Sequence, residues 1–364
     1  MTHRVTLIPG DGIGPEVVDA ARRVVAATGV EVVWDIEEIG RKAFERIGEA
    51  LPSRALASIR DNGVALKGPI ETPAGAGIRS ANIAMRKDLD LFANVRPCRH
   101  YPGVPSLYED VDLVVVRENT EDVYTGVEFE VGTVEVKQLI AFIEETNDIR
   151  IRQDSGISVK AISHEGSDRI VRFAFEEARR RGRRKITSGH KANIMKFSDG
   201  LFLDVARRVA ALFPDIAFED RIIDALCMQL VQSAEDFDVL VLPNLYGDIV
   251  SELGAGLIGG PGVAPGVQLG DDVAVFEATH GTAPRLAGRD RADPVALMLS
   301  AAMMLRHLGE GEAGDRLEEA IAAVLATGVD VTPDLRGPGD ERPAVGTKRM
   351  AEAVAERLRD ASIA

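Results

Sequence analysis

The sequence predicts an α/β fold built on buried, largely parallel strands. Strand-like and helix-like segments alternate along the chain, and glycine or proline stands at many of the junctions. Several strand-like runs are apolar throughout, as strands covered on both faces are. Residues 5–8 form the first such run. Pro9-Gly10-Asp11-Gly12-Ile13-Gly14 reads as a turn, and Pro15 opens a helix with apolar positions at Val17, Val18, Ala21, Val24 and Val25. Proline at the start and Gly29 past the end match the usual helix punctuation. Strands follow at 30–34, 63–66 and 112–116, a helix at 167–181, a strand at 186–187, a helix at 198–213 and a strand at 239–242. Two regions break the rhythm. Residues 124–161 mix strand-like segments with one helix-like piece at 135–145, and residues 251–270 are glycine-rich. The uncharged stretch 253–270 carries too many glycines and prolines for a membrane span and reads as loop. Residues 294–308 are apolar almost all round, which predicts burial in the core or against a partner subunit.

At 364 residues the chain has room for about two domains and a sizeable core. No repeat or low-complexity linker divides it, so two domains are expected to share a sheet or interleave. With 43 basic and 58 acidic residues the net charge is −15, the wrong sign for a surface that tracks nucleic acid. Cys98 and Cys227 are too few for a disulfide framework or a zinc site and read as buried thiols in a reducing compartment. The N-terminus has no basic segment or apolar signal core, so a cytoplasmic location is expected. Walker A, HExxH and GxSxG motifs are absent.

The first glycine cluster invites a dinucleotide-binding reading, since it joins a strand to a helix and Asp35 lies about twenty residues on. The spacing fails, because the third glycine of that fingerprint falls on Pro15. A tight strand-to-helix turn is the better reading. Arg86, Arg96 and Arg117 carry more information. Arg96 and Arg117 end apolar runs, so they are either paired in the core or aimed into a cleft, where several arginines would capture several carboxylates. Asp248 and Glu252 stand four residues apart on one helix face. They are either dipole-favoured acids near a helix start or oxygen ligands of a hard cation such as Mg²⁺ or Mn²⁺, with Asp224 as a third. Lys191 follows a strand and is either a surface lysine or a base in a cationic cleft. The basic run 179–185 caps a helix C-terminus, where cations complement the dipole.

Six segments in order then carry a resemblance over nearly the whole chain: Ile8-Pro-Gly-Asp-Gly-Ile-Gly-Pro-Glu16, Asn94-Val-Arg-Pro97, Arg117-Glu-Asn-Thr-Glu121, His190-Lys-Ala-Asn-Ile-Met195, Asn244-Leu-Tyr-Gly-Asp248 and Glu277-Ala-Thr-His-Gly-Thr-Ala-Pro284. The chain resembles the β-decarboxylating dehydrogenases, the isocitrate and 3-isopropylmalate dehydrogenase family. Ser80 and Asn82, six and four residues before Arg86, look like the isocitrate branch, where they meet the γ-carboxylate; isopropylmalate enzymes are apolar there. The resemblance implies a two-domain, non-Rossmann α/β fold, with a large domain from 1–98 and 255–364. It implies a small domain from 99–254 carrying an intersubunit clasp near 128–161. It also implies a homodimer with shared active sites, a tricarboxylate substrate, and no nucleic-acid or membrane partner.

The implied reaction is metal-dependent oxidation of isocitrate to 2-oxoglutarate and CO₂ with reduction of NAD or NADP. By the same resemblance, Arg86, Arg96 and Arg117 hold the carboxylates; Thr72, Ser80 and Asn82 orient the substrate; and Lys67 lies near the reacting carbon. Asp248, Glu252 and a partner's Asp224 bind Mg²⁺ or Mn²⁺, a partner's Lys191 is the base, and Tyr124 protonates the enolate. His280, Gly281, Thr282, Ala283, Asp293 and Arg336 face the coenzyme. Where NAD enzymes carry an aspartate, this chain has Arg285, which attracts a 2′-phosphate and leans the preference to NADP. Glu252 in place of an aspartate, and Glu71 beside Thr72, leave open the same reaction on homoisocitrate, 3-isopropylmalate or a phosphonate analogue. A non-catalytic regulatory subunit is the contrasting reading, and it predicts loss of the Lys191, Tyr124 or metal positions, all of which are filled.

Overall fold

One mixed ten-stranded sheet runs through the molecule. The computed structural model describes residues 2–71, 80–337 and 339–361. Thr72, assigned above to the substrate, lies outside the described residues. The strands are β1 (His3–Ile8), β2 (Val32–Ile36), β3 (Val64–Lys67), β4 (Ala93–Arg99), β5 (Asp112–Glu118), β6 (Glu128–Phe129), β7 (Ile157–Ser158), β8 (Lys185–His190), β9 (Ala217–Ile222), β10 (Val239–Leu242), β11 (Pro265–Leu269) and β12 (Ala274–Ala278). The sheet order is β2-β1-β3-β12-β11-β4-β5-β10-β8-β9, with β6 and β7 forming a separate two-stranded ribbon. Strands from the two chain ends thus fill one half of the sheet, and strands from the middle of the chain fill the other.

The expected parallel pairing holds in both halves. Between them, the β12–β11, β11–β4 and β4–β5 pairs are antiparallel. This central insertion brings the ends of strands from both halves side by side.

The helix Gly14–Ala27 carries Pro15 in its first turn and buries Val17, Val18, Ala21, Val24 and Val25, as its spacing requires. The second strand begins two residues later than expected, at Val32. The helix His164–Arg180 begins earlier than 167 because Ser163 caps it, accepting a bond from Gly166 N–H at 2.9 Å. Residues 124–161 hold the β6–β7 ribbon and the helix Val134–Asn147.

Two expectations are corrected. The stretch 253–270 is not loop: it holds the end of the helix Asn244–Leu257 and the strand β11. Its glycines mark close packing instead. A Cβ on Gly254 would sit 2.7 Å from Cys98 Sγ, and one on Gly259 would sit 2.4 Å from Val104. The apolar helix Val295–His307 is buried as expected, covered within the chain by the helices Gly14–Ala27 and Gly311–Thr327 and strands β11 and β12. Only one of the two thiols is fully buried: Cys98 is, and burial pushes it up to about 12, whereas Cys227 is half-exposed.

Candidate active site

The antiparallel insertion lays a polar row across five strands. Lys67 on β3 faces Glu277 on β12, Gln268 on β11 faces Asn94 on β4, and Asn94 faces Arg117 on β5. Directly opposed residues share a face of the sheet. Side-chain bonds join the row: Lys67 Nζ lies 2.6 Å from Glu277, and Gln268 Nε2 donates to Glu277 at 2.6 Å. Burial works to raise the Glu277 carboxyl, but Lys67, Arg86 and Arg96 outweigh it and hold the group below the usual carboxylate range.

Arginines converge on this row. Arg86, on the helix Ala81–Asp88, donates from Nε to Gln268 Oε1 at 2.7 Å. Arg96 donates to Ser251 Oγ at 2.6 Å and reaches Glu252 at 3.4 Å and Asp248 at 3.8 Å. Arg117 is fully buried; Nε and a terminal nitrogen bond Asn244 Oδ1 at 3.1 and 2.8 Å, and the other terminal nitrogen donates to Asp248. Burial, then the Arg86 cation, brings Arg117 down to about 10, so it stays charged at neutral pH. The helix Asn244–Leu257 lies this close because Gly247 has no side chain; a Cβ there would meet Arg117 Cγ at 2.5 Å.

Asp248 ties the arginines to Tyr124, whose hydroxyl donates to Asp248 Oδ2 at 2.6 Å. The Tyr124 ring lies 4.9 Å from the Arg117 guanidinium carbon. Burial would raise the Asp248 carboxyl, but Arg117, Tyr124 and the other arginines hold it low. Conversely, burial and the Asp248 carboxylate push the Tyr124 phenol up. Lys67, Arg86, Arg96, Arg117, Tyr124, Asp248 and Glu252 therefore form one cluster. Asn82 rides the helix face that carries Arg86, with Oδ1 buried and unbonded among the described residues. Ser80 immediately precedes that helix.

Lys191 and Asp224 pair with each other instead, at 2.6 Å, and that bond holds the Asp224 carboxyl low. Among the described residues no hydrogen bond joins them to Tyr124 or Asp248. Among the described residues no three acids, histidines or cysteines lie close enough to hold a metal ion. Asp224, Asp248 and Glu252 thus do not converge within one chain. The half-exposed oxygens of Asp248 and Glu252 suit a hard cation, but they need further oxygen donors from outside this chain.

The segment after Glu277 forms the other side of the site. Ile13 N–H donates to Thr282 O at 2.9 Å, and a Cβ on Gly12 would lie 1.9 Å from that oxygen. The first glycine cluster thus braces the 280–283 loop. Ala283 is held at φ 37° in that loop. His280 Nδ1 lies 3.0 Å from Gly281 O and so carries the proton, and burial keeps the ring neutral. His280 Nε2, Asp293 Oδ2 and Thr332 Oγ1 are buried with no hydrogen-bond partner among the described residues. These orphaned polar atoms fit a polar ligand such as a nucleotide. Burial, then Asp334, pushes the Asp293 carboxyl up.

Arg285 is exposed with no ion pair among the described residues, open to an anion. Arg336, assigned above to the coenzyme, donates from its terminal nitrogens to the Gly328, Val329 and Pro343 carbonyls and to Asp340, and its buried Nε has no hydrogen-bond partner among the described residues. Glu71 is neutralised by Arg41 at 2.5 Å, so it adds little negative charge beside residue 72. Gln268 and Ser251 are contributors the sequence did not mark, and Asn244 entered only as part of a motif, with no role of its own. An amide or hydroxyl in an ordinary strand or helix carries no signal until its arginine partner is known.

An established family and several known proteins match this chain. The family model described as isocitrate/isopropylmalate dehydrogenase matches residues 4–354. A Caenorhabditis elegans mitochondrial protein, named a probable NAD isocitrate dehydrogenase subunit alpha, is 46% identical over 93% of this chain and 88% of its own. The chloroplastic 3-isopropylmalate dehydrogenase of Solanum tuberosum is 44% identical over 89% and 86%. The crystal structure of isocitrate dehydrogenase from Methylococcus capsulatus superposes with a TM-score of 0.89 at 46% identity, covering 98% of this chain and 99% of that one.

Proposed function

Since the chain belongs to the isocitrate/isopropylmalate dehydrogenase family, we propose that it oxidises and decarboxylates isocitrate to 2-oxoglutarate and CO₂ with reduction of NADP or NAD. The convergence of Arg86, Arg96 and Arg117 on the Asp248–Tyr124 pair is the observation that carries this reading. Each guanidinium offers paired donors to a carboxylate, and a tricarboxylate offers three. The Asn82 amide nitrogen and the Ser80 hydroxyl donate to the γ-carboxylate, and Thr72 orients the substrate with them. Lys67 lies beside the reacting carbon. The partner's Lys191 takes the 2-hydroxyl proton as hydride leaves, and Tyr124 gives a proton to the enolate carbon after CO₂ departs.

Asp248 and Glu252, with the partner's Asp224, hold Mg²⁺ or Mn²⁺, which supplies Lewis-acid polarisation of the C2 oxygen. The coenzyme supplies the hydride acceptor; His280, Gly281, Thr282, Ala283 and Asp293 line its place. Arg285, exposed and unpaired among the described residues, favours NADP. The separation of Lys191 and Asp224 from Tyr124 supports a homodimer with shared sites, with the ribbon and helix near 128–161 as its clasp. The two-domain division at 1–98 with 255–364 against 99–254 follows the two halves of the sheet. No helix among the described residues is long and apolar enough to cross a membrane. A cytoplasmic location completes the proposal, supported by two unpaired cysteines.

The second reading is the same chemistry on homoisocitrate, 3-isopropylmalate or a phosphonate analogue. Glu252, reaching Arg96 with a side chain longer than aspartate, favours it. Initial rates with isocitrate and Mg²⁺, with NADP and NAD in parallel, separate these. Fast turnover with NADP, abolished by chelation, is expected. Turnover with NAD alone overturns the Arg285 argument, and none with either coenzyme moves the substrate to another 3-substituted malate.

A further inference from the structure

Lys160 lies outside the site, yet it joins the two turns on which the proposed proton transfers depend. Its side chain is only 14% exposed, and Nζ lies 3.0 Å from Asp122 Oδ2 and 3.4 Å from Asp199 Oδ1. Both aspartates are fully buried. The ammonium also sits 4.6 Å from the centre of the Tyr246 ring.

Each aspartate then grips backbone. Asp122 opens the turn Asp122–Thr125 that carries Tyr124. Its backbone is left-handed, at φ 69°, which a non-glycine residue holds only under constraint. The constraint is its carboxylate, which accepts Val123 N–H at 2.8 Å and Leu245 N–H at 3.0 Å. Asp122 N–H in turn donates to Ala161 O at 3.0 Å, next to Lys160. Asp199 accepts the backbone N–H of Lys191 at 2.7 Å.

We infer that Lys160 is a positioning residue: by neutralising Asp122 and Asp199 together it fixes Tyr124 and Lys191 in place. Two buried carboxylates without a cation between them would protonate or move apart, and either change releases a turn. Because Tyr124 serves its own chain's site and Lys191 the partner's, one lysine braces both sites of the assembly. This rests on the proposed roles of Tyr124 and Lys191.

The test compares Lys160→Met, Lys160→Arg and Asp122→Asn in the full-length protein, checked for folding by circular dichroism and for assembly by gel filtration. Tyr124→Phe and Lys191→Met are the references. Expected for Lys160→Met is a kcat lower by about 10–100-fold with KM for isocitrate within about twofold, since a small misplacement of reacting groups acts on kcat. Lys160→Arg, which keeps the charge, recovers part of it. Should Lys160→Met fail to fold, Asp122→Asn severs one arm while leaving the lysine paired with Asp199, and the same split is expected. A lower melting temperature with kcat per folded site unchanged overturns the inference. If Tyr124→Phe and Lys191→Met keep full turnover, or the unmutated protein turns over no substrate of this class, the functional reading falls and takes this inference with it.

Discussion

A phenol is a weak acid in water, and the surroundings of Tyr124 make it weaker. Burial disfavours the phenolate first, and Asp248, an anion accepting its hydrogen bond, disfavours it next; Arg117 pulls the other way and does not win. The sign is upward, so the group keeps its proton through the whole neutral range and stands as a donor. Phenolate absorbance of the unmutated protein and of Tyr124→Phe should therefore coincide up to about pH 10, the ordinary tyrosine value, and part only above it. Signal missing from the variant below that pH would mean a normal phenol. In catalysis Tyr124→Phe should lower kcat by about 10²–10⁴-fold, the usual weight of a positioned acid, with a smaller change in KM in steady-state assays. At this scale the sequence was informative for charge and silent on what holds charge in place. Arg96 and Arg117 stood out because a guanidinium at the end of an apolar run demands a partner. Gln268, the partner that orients Arg86, looks like any polar residue until the sheet register is known.

The helix Asn244–Leu257 decides how near Asp248 comes to the arginines, and glycine decides where the helix lies. Gly247→Ala should raise helix propensity by up to about 1 kcal/mol. Against this, the new methyl would lie 2.5 Å from Arg117 Cγ, on a side chain fully buried and fixed by Asn244 and Asp248. Overpacking of a rigid neighbour costs about 1–3 kcal/mol, so the net effect is destabilising. Urea unfolding should show the loss, and KM for the tricarboxylate should rise as Arg117 is displaced; an unchanged midpoint and KM would contradict the fit. The same reasoning explains why 253–270 reads as loop in the sequence yet is helix and strand in the structure. Glycine in sequence signals freedom, but Gly254 and Gly259 sit in and just past a helix because another part of the chain presses against them. That pressure comes from Cys98 and Val104, more than a hundred residues away, and no local pattern encodes it. Strand β10, apolar throughout, and the run 113–116 within β5 were legible because burial on both faces leaves a composition of its own.

The whole molecule presents its chemistry in two parts that one chain does not unite. Tyr124 and Asp248 bond one another, while the side chains of Lys191 and Asp224 pair with each other. Apolar side chains lie open around the second pair. Phe197 is 94% exposed, and Ile194, Met228, Val231 and Ile249 are exposed near it in sequence or on the helices Ile223–Gln232 and Asn244–Leu257. Val131, Val134 and Phe142 are open on and beside the helix Val134–Asn147. Exposed apolar groups in such number are what the proposed dimer interface would cover. In a two-fold dimer each cleft would take Tyr124 from one chain and Lys191 from the other. Tyr124→Phe and Lys191→Met should then each be nearly inactive alone and complement each other when co-expressed. Random assortment makes about half the dimers mixed, and in each mixed dimer one site carries both lesions and the other neither, so about a quarter of full activity should return. A site built within one chain gives the opposite result, since every site would then carry one lesion and mixing would recover nothing. The recovered fraction, measured against each variant alone, therefore reads directly whether the active site is shared between subunits.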